Sequence, residues 1–150
     1  SKFSLSGLAD LVKIEIDSNN IHIAYHLLEK NIPLCAHIGL LPQTIKSKSG
    51  YRKYGKIKYE AEQLYDLAKN LDQAGAPIIL IECIENKLAK SISKSCKAPV
   101  IGIGSGSGID GQVSVIYDLM GISFNKIDSF IVSEKNTLDK QIMNFKKRLR

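Results

Sequence analysis

Short apolar runs recur along the chain at Leu11–Ile16, Leu34–Ile38, Pro77–Ile81, Pro99–Ile103 and Val113–Tyr117. Runs of this length, bounded by turn-forming residues, predict buried strands. Between them the apolar spacing changes to three and four residues. The change is clearest over Tyr59–Leu71, where Ala61, Leu64, Ala68 and Leu71 share one helix face and Gly75 supplies the stop. Ile21, Ala24, Tyr25 and Leu28 mark a shorter helix, and Leu88, Ala89 and Ile92 mark another after Glu85, which reads as a first-turn charge. A last pattern, Leu138, Ile142, Phe145 and Leu149, has Lys146, Lys147, Arg148 and Arg150 near its negative C-terminal end.

Strand, helix, strand alternation predicts an α/β fold with a parallel sheet covered by helices. It is either an open doubly wound sheet or part of a TIM-type β/α barrel. A complete eightfold barrel takes about 250 residues, so the barrel reading expects roughly three strands upstream of Ser1. With 150 residues, 44% of them hydrophobic, the chain suits a single domain, 1–150. Ser1, in place of a starting Met, marks a processing site or the edge of a longer chain. Ile45–Lys58 is a long polar stretch and reads as a functional loop.

A net charge of +6 makes nucleic acid or an anionic substrate worth testing as a partner. Lys46, Lys48, Arg52, Lys53, Lys56 and Lys58 interleave with Tyr51, Tyr54 and Tyr59, but no nucleic-acid-binding module accompanies them, so nucleic acid is set aside. The longest apolar run, Ala76–Ile81, is far too short to span a bilayer, and no membrane partner is expected. Cys35, Cys83 and Cys96 form no C-x-x-C pair and are odd in number, which predicts reduced thiols and a cytoplasmic protein.

Candidate chemistry gathers at strand ends, where parallel β/α structures place it. Lys13 and Glu15 alternate with apolar residues and share one strand face about 7 Å apart. An ammonium and a carboxylate so placed suit an anionic substrate and a metal, although a pair that merely closes a strand end has the same pattern. Glu82 ends the most apolar strand on the face of Ile78 and Leu80, where partial desolvation suits a general acid or base, although a glutamate that has already reached water as the strand emerges has the same pattern. His37 shares a face with Cys35 and reads either as a donor to substrate or as a core histidine. His22 and His26 have i, i+4 spacing without the glutamate of a zinc-peptidase helix, and predict a solvated face. In the run Gly102–Gly111, Gly106, Gly108 and Gly111 fit G-x-G-x-x-G, but the run leads into β-like sequence instead of a helix. A ligand-approaching loop is the better reading than a dinucleotide site, which leaves a nucleotide-binding α/β domain as the alternative fold.

In order, the motifs Val12-Lys13-Ile14-Glu15, Ile32-Pro33-Leu34-Cys35-Ala36-His37-Ile38-Gly39-Leu40-Leu41-Pro42-Gln43 and Gly50-Tyr51-Arg52-Lys53-Tyr54-Gly55-Lys56 resemble ketopantoate hydroxymethyltransferase. The likeness continues through Ala74-Gly75-Ala76, Ile81-Glu82-Cys83, Pro99 to Gly106, Asp110-Gly111-Gln112 and Asp118-Leu119-Met120-Gly121. The resemblance implies a β/α barrel, represented here by about strands four to eight of eight. The implied enzyme transfers a hydroxymethyl group from 5,10-methylenetetrahydrofolate to 3-methyl-2-oxobutanoate, giving ketopantoate for pantothenate synthesis, with Mg2+ chelating the keto acid. It further implies that Lys13 and His37 contact the substrate, that Glu15 belongs to the magnesium site, that Glu82 accepts a proton, and that the protein is a homo-oligomer.

Two departures accompany the resemblance. Ile16-Asp17 stands where the family has Gly-Gly, and Asp17 is the nearest substitute metal carboxylate. The family's N-terminal portion, with two magnesium-binding aspartates and a substrate-binding serine, is expected upstream. Without it, the alternative to the enzyme is a non-catalytic half-barrel remnant that binds a ligand or partner, and residues 1–150 alone are expected to be inactive.

Overall fold

The structure, a computed structural model, describes residues 7, 9–45 and 51–116. The chain divides into two compact units, Ser1–Gln112 and Val113–Arg150. In the first, β1 (Val12–Glu15), β2 (Leu34–Gly39), β3 (Ile78–Glu82), β4 (Val100–Ile103) and β5 (Gly111–Gln112) form one parallel sheet in the order β1-β2-β3-β4-β5. Helices α1 (Ile21–Glu29), α2 (Lys58–Gln73) and α3 (Asn86–Ser95) connect the first four strands.

Strand order that follows chain order has no reversal, which a doubly wound sheet requires. The burial pattern agrees. Ile16, Leu34, Ala36, Ile38, Ile79, Ile81 and Val100 join Ala24 of α1, Leu67, Ala68 and Leu71 of α2, and Ala89 and Ile92 of α3 in one core. Alternate positions of β3 and β4, namely Ile78, Leu80, Glu82, Ile101 and Ile103, stay partly exposed. Helices therefore cover one face of the sheet, as they do outside a β/α barrel, and the other face carries the candidate polar groups. Each fully buried Leu or Ile in that core contributes about 1.5–3 kcal/mol.

The helix ends obey the same local chemistry. In α2 the Gly75 amide bonds the Asp72 carbonyl and the Ala76 amide bonds the Leu71 carbonyl, a Schellman ending that the glycine, at φ 91°, enters without strain. Glu85 is the N-cap of α3, its carboxylate accepting from the Lys87 and Leu88 amides, so it sits one position ahead of the predicted first-turn role. His22 and His26 are exposed on α1, as their spacing predicts.

One expectation is corrected. Val113–Ile116 is not strand; the fifth strand is Gly111–Gln112, and Val113, Val115 and Ile116 are exposed large hydrophobics. Hydrophobic content misleads because pairing there depends on close packing: a Cβ at Gly111 would press on Ile101 of β4. The glycine run packs on α3 and leads into β5, not into the helix that a dinucleotide fingerprint opens. It carries the chain from β4 back to the start of β5 without a helix, along α3: Gly106 abuts Asn86, Gly108 abuts Lys90, and Asp110 accepts from Ser93 Oγ at 3.0 Å and from the Val100 amide at 2.9 Å. Parallel crossovers normally take a dozen or more residues, and the positive φ of Gly104, Gly106 and Gly108 permits this shorter one. Tyr117 and the predicted helix from Leu138 lie outside the described residues.

The described part of the polar loop is pinned at both ends. Arg52 makes a two-pronged ion pair with Glu60 of α2 and stacks 4.1 Å over the Tyr54 ring, and the Gly55 amide also donates to Glu60. Lys53 Nζ donates to Asn86 Oδ1 at 2.9 Å. The Arg52 hydrogen bond, opposed by burial and helped by the Gly55 amide, holds the Glu60 carboxyl below its ordinary range. A carboxyl lowered in the folded state stabilises the protein above its unfolded value and loses that contribution as pH falls through its folded value. Acid unfolding followed by circular dichroism should therefore lose part of its pH dependence in Glu60→Gln, confined to the acid side of the carboxylate range. Identical acid profiles would contradict the latch.

Gly39 yields a second prediction. It has φ 96°, and a Cβ there would collide with the Glu82 carbonyl oxygen, which accepts from the Leu40 amide at 2.8 Å. Gly39→Ala should cost about 1–3 kcal/mol in backbone strain alone and lower the thermal midpoint. An unchanged midpoint would refute the close approach.

Candidate functional site

Parallel register brings the polar residues of three strands together. Glu15 pairs with His37, and Gly39 pairs with Glu82. His37 is 1% exposed, with Nδ1 3.9 Å from Glu15 Oε1 and Nε2 3.1 Å from Glu82 Oε2. Neither contact has hydrogen-bond geometry, so both ring nitrogens are buried without a partner. A buried imidazole between two carboxylates has the capacity both to donate and to accept a hydrogen bond there.

The Glu15 carboxylate is held by backbone from another segment. Both Glu15 oxygens face the Gln43 amide, at 3.3 and 3.2 Å, and the Glu15 carbonyl accepts from Asn20 Nδ2 at 3.1 Å. The Glu15 and Glu82 side chains are 14% and 16% exposed, enough to reach a ligand from a largely desolvated position. Gln43 and Asn20 escape a residue-by-residue reading because a backbone donor and a turn amide leave no signature in sequence spacing.

Lys13 lies on the same strand face as Glu15, beside Cys35, and is exposed. Burial pushes the Cys35 thiol up, and the positive charge of Lys13 opposes that shift. The sheet thus places Lys13 one pleat before Glu15 on the same face, toward the N-terminal end of β1. Asp17 is turned elsewhere. Strand β1 ends at Glu15, and the Asp17 carboxylate accepts from the Asn19 and Asn20 amides at 2.8 and 3.1 Å, closing the turn into α1. Ile16 is fully buried in the helix-side core. Asp17 thus serves the turn into α1.

A cavity of about 280 Å³ lies between the ends of β1 and β2 and helix α2, lined by Asp17, Gly39, Thr44, Tyr54, Glu60 and Gln63 among others. Its lining includes none of Lys13, Glu15, His37 and Glu82. Among the described residues no group of three His, Cys, Asp or Glu side chains is arranged to hold a metal ion. Glu15 alone, its oxygens shared with the Gln43 amide, does not make a magnesium centre. No helix among the described residues is long and apolar enough to cross a membrane, and the three cysteines are free thiols.

Known proteins are similar to this chain in sequence. A sequence profile described as ketopantoate hydroxymethyltransferase covers residues 2–148. The 3-methyl-2-oxobutanoate hydroxymethyltransferase 2 of Aliivibrio fischeri is 44% identical over 122 residues, 81% of this chain and 46% of the relative. The 3-methyl-2-oxobutanoate hydroxymethyltransferase of Buchnera aphidicola is 40% identical over 148 residues, 97% of this chain and 56% of the relative. A relative from Hahella chejuensis is 42% identical over 82% of the chain and 47% of its own length. The chain spans about half the length of the curated relatives it matches. Since the match runs through β1, β2 and β3 and so includes Lys13, Glu15, His37 and Glu82, the chain belongs to the ketopantoate hydroxymethyltransferase family, a family of transferases.

Proposed function

We propose that these residues form part of the active site of an enzyme that transfers a hydroxymethyl group from 5,10-methylenetetrahydrofolate to 3-methyl-2-oxobutanoate, giving ketopantoate. The observation that carries the proposal is His37, buried with both ring nitrogens unspent between Glu15 and Glu82 at the C-terminal end of a parallel sheet. Glu82 takes the proton from C3 of the keto acid, the resulting enolate attacks the methylene carbon carried by folate, and water supplies the hydroxyl oxygen as the carbon–nitrogen bonds break and tetrahydrofolate leaves. His37 donates to a substrate oxygen, and its contact with Glu82 keeps donor and proton acceptor in one plane of the site. Lys13, one pleat before Glu15, attracts the substrate carboxylate. Magnesium, when bound, polarises the ketone. Glu15 offers it one carboxylate, and the remaining protein ligands must come from outside the described residues. We place β1 to β5 as strands four to eight of the barrel, and we read the protein as a cytoplasmic homo-oligomer.

Counting ligands gives the first test. Magnesium is normally held by one or two carboxylates together with substrate oxygens and water in near-octahedral geometry. Isothermal titration of residues 1–150 with magnesium and keto acid should show no tight binding, and the chain by itself should form no ketopantoate. Three further strands with the two expected aspartates, fused or added as a separate chain, should restore both. If that complemented assembly binds keto acid and never turns it over, the non-catalytic half-barrel reading replaces the enzyme.

In the complemented assembly Glu82→Gln keeps the shape of the pocket and removes the proton acceptor. Keto-acid binding should survive while turnover falls about 100- to 10,000-fold. Lys13→Ala should instead weaken keto-acid binding. Turnover by Glu82→Gln at the parent rate would end the assignment.

A further inference from the structure

Cys83, the residue after Glu82, has φ 52°. A side-chain-bearing residue persists in this left-handed conformation only where its surroundings over-determine it, and such residues cluster at functional sites. Here the surroundings come from three directions. The Cys83 amide donates to the Ile103 carbonyl at 2.9 Å, the Cys83 carbonyl accepts from the Tyr54 amide at 2.8 Å, and the Glu82 carbonyl accepts from the Leu40 amide at 2.8 Å.

The side chain in this set is Ser105, 1% exposed. Its Oγ accepts from the Ile84 amide at 3.1 Å, and its proton faces the Ile81 and Ile103 carbonyls, each at 3.2 Å. One hydroxyl thus grips the chain immediately before Glu82, at the Ile81 carbonyl, and immediately after Cys83, at the Ile84 amide. We propose that Ser105 is a positioning residue for Glu82: its buried hydroxyl fixes the turn 81–84 so that the carboxylate stands against His37. It touches no substrate and acts through the backbone.

The proposal rests on the reading of Glu82 as proton acceptor. Proton transfer depends steeply on donor–acceptor geometry, and misplacement by about 1 Å can cost about 100-fold. Without the hydroxyl the Ile84 amide is buried without an acceptor, and residue 83 has one restraint fewer against leaving its left-handed conformation. The competing possibility is that Ser105 merely bolts the β4–β5 crossover in place, which any comparable hydroxyl would do.

The test compares Ser105→Ala with Ser95→Ala, which removes a hydroxyl bonded to the Ile92 carbonyl at 2.9 Å, far along α3 from the site. In the 150-residue chain, ¹⁵N signals of the His37 ring report its contact with Glu82. Ser105→Ala should move the Nε2 signal and Ser95→Ala should leave it in place. A His37 spectrum in Ser105→Ala that superimposes on the parent overturns the proposal. In the complemented assembly, solvent deuterium exchange at C3 of 3-methyl-2-oxobutanoate isolates the proton transfer from the folate step. Ser105→Ala should slow it roughly 10- to 100-fold with the keto-acid KM unchanged. Exchange as fast as in Ser95→Ala, or a raised KM at full rate, likewise overturns it. If Glu82→Gln itself keeps full exchange, the Glu82 assignment fails, and the His37 signal then decides whether Ser105 fixes the turn.

Discussion

The pairing of β1 with β2 and of β2 with β3 in one parallel register is the constraint on which the site depends. Side chains alternate across a strand, so a slip of one residue between neighbours would send Glu15 or Glu82 to the opposite face, among Ile38 and Ile81. The helix-side core prevents that slip. Ile16, Ala36, Ile38, Ile79 and Ile81 are all fully buried there, and moving β1, β2 or β3 by one position would bring Glu15, His37 or Glu82 into that core. Hydrophobic burial on one face therefore fixes polar geometry on the other. Gly39 adds a local condition, because only a residue without a Cβ lets the end of β2 approach the Glu82 carbonyl.

Much of this is legible in the sequence because the period of apolar positions records which face is buried. The first four predicted strands and the first three helices match those observed to within a residue or two at most ends, and His37 lies on the face of Cys35 as its spacing predicts. What is not legible depends on contacts between segments distant in sequence. Val113–Tyr117 has strand-like composition, yet strand β5 ends at Gln112, since pairing with β4 is set by the small size of Gly111 against Ile101. Asp17 is available for a metal by its position in the sequence, whereas in the fold the Asn19 and Asn20 amides occupy it. Spacing alone cannot reveal an Asx-type turn that consumes a carboxylate. Lys13 lies on the predicted face, but only the sheet shows it one pleat short of the cluster.

The glycine run shows how one composition serves two physical demands. A loop that must approach a phosphate and a loop that must lie flat against a helix both exclude Cβ atoms, so the sequence signature is shared. The two are told apart by the element the glycines lead into. Here that element is β5, reached at once, and the contacts of Gly106, Gly108 and Asp110 run in order along Asn86, Lys90 and Ser93, one stripe of α3. The run thus does the work of a crossover helix in a shorter length of chain. It also delivers Ser105 beneath the Glu82 turn, linking the crossover to the candidate chemistry.

Taken as a stability problem alone, His37 is poorly solved. Leaving a buried polar group without a hydrogen bond costs about 1–3 kcal/mol, and both ring nitrogens are in that position. A structural histidine would turn toward a carbonyl or align with a carboxylate, as Ser105 and Asp110 do with their partners. Glu82 Oε2 stands 3.1 Å away, so a partner is within reach and only the direction is wrong. The register that fixes β2 also fixes the His37 ring between its neighbours, and the bond geometry is left incomplete. Such a cost is characteristic of a site whose last hydrogen bonds belong to a ligand, because a donor already satisfied by the protein has little to gain from a substrate oxygen.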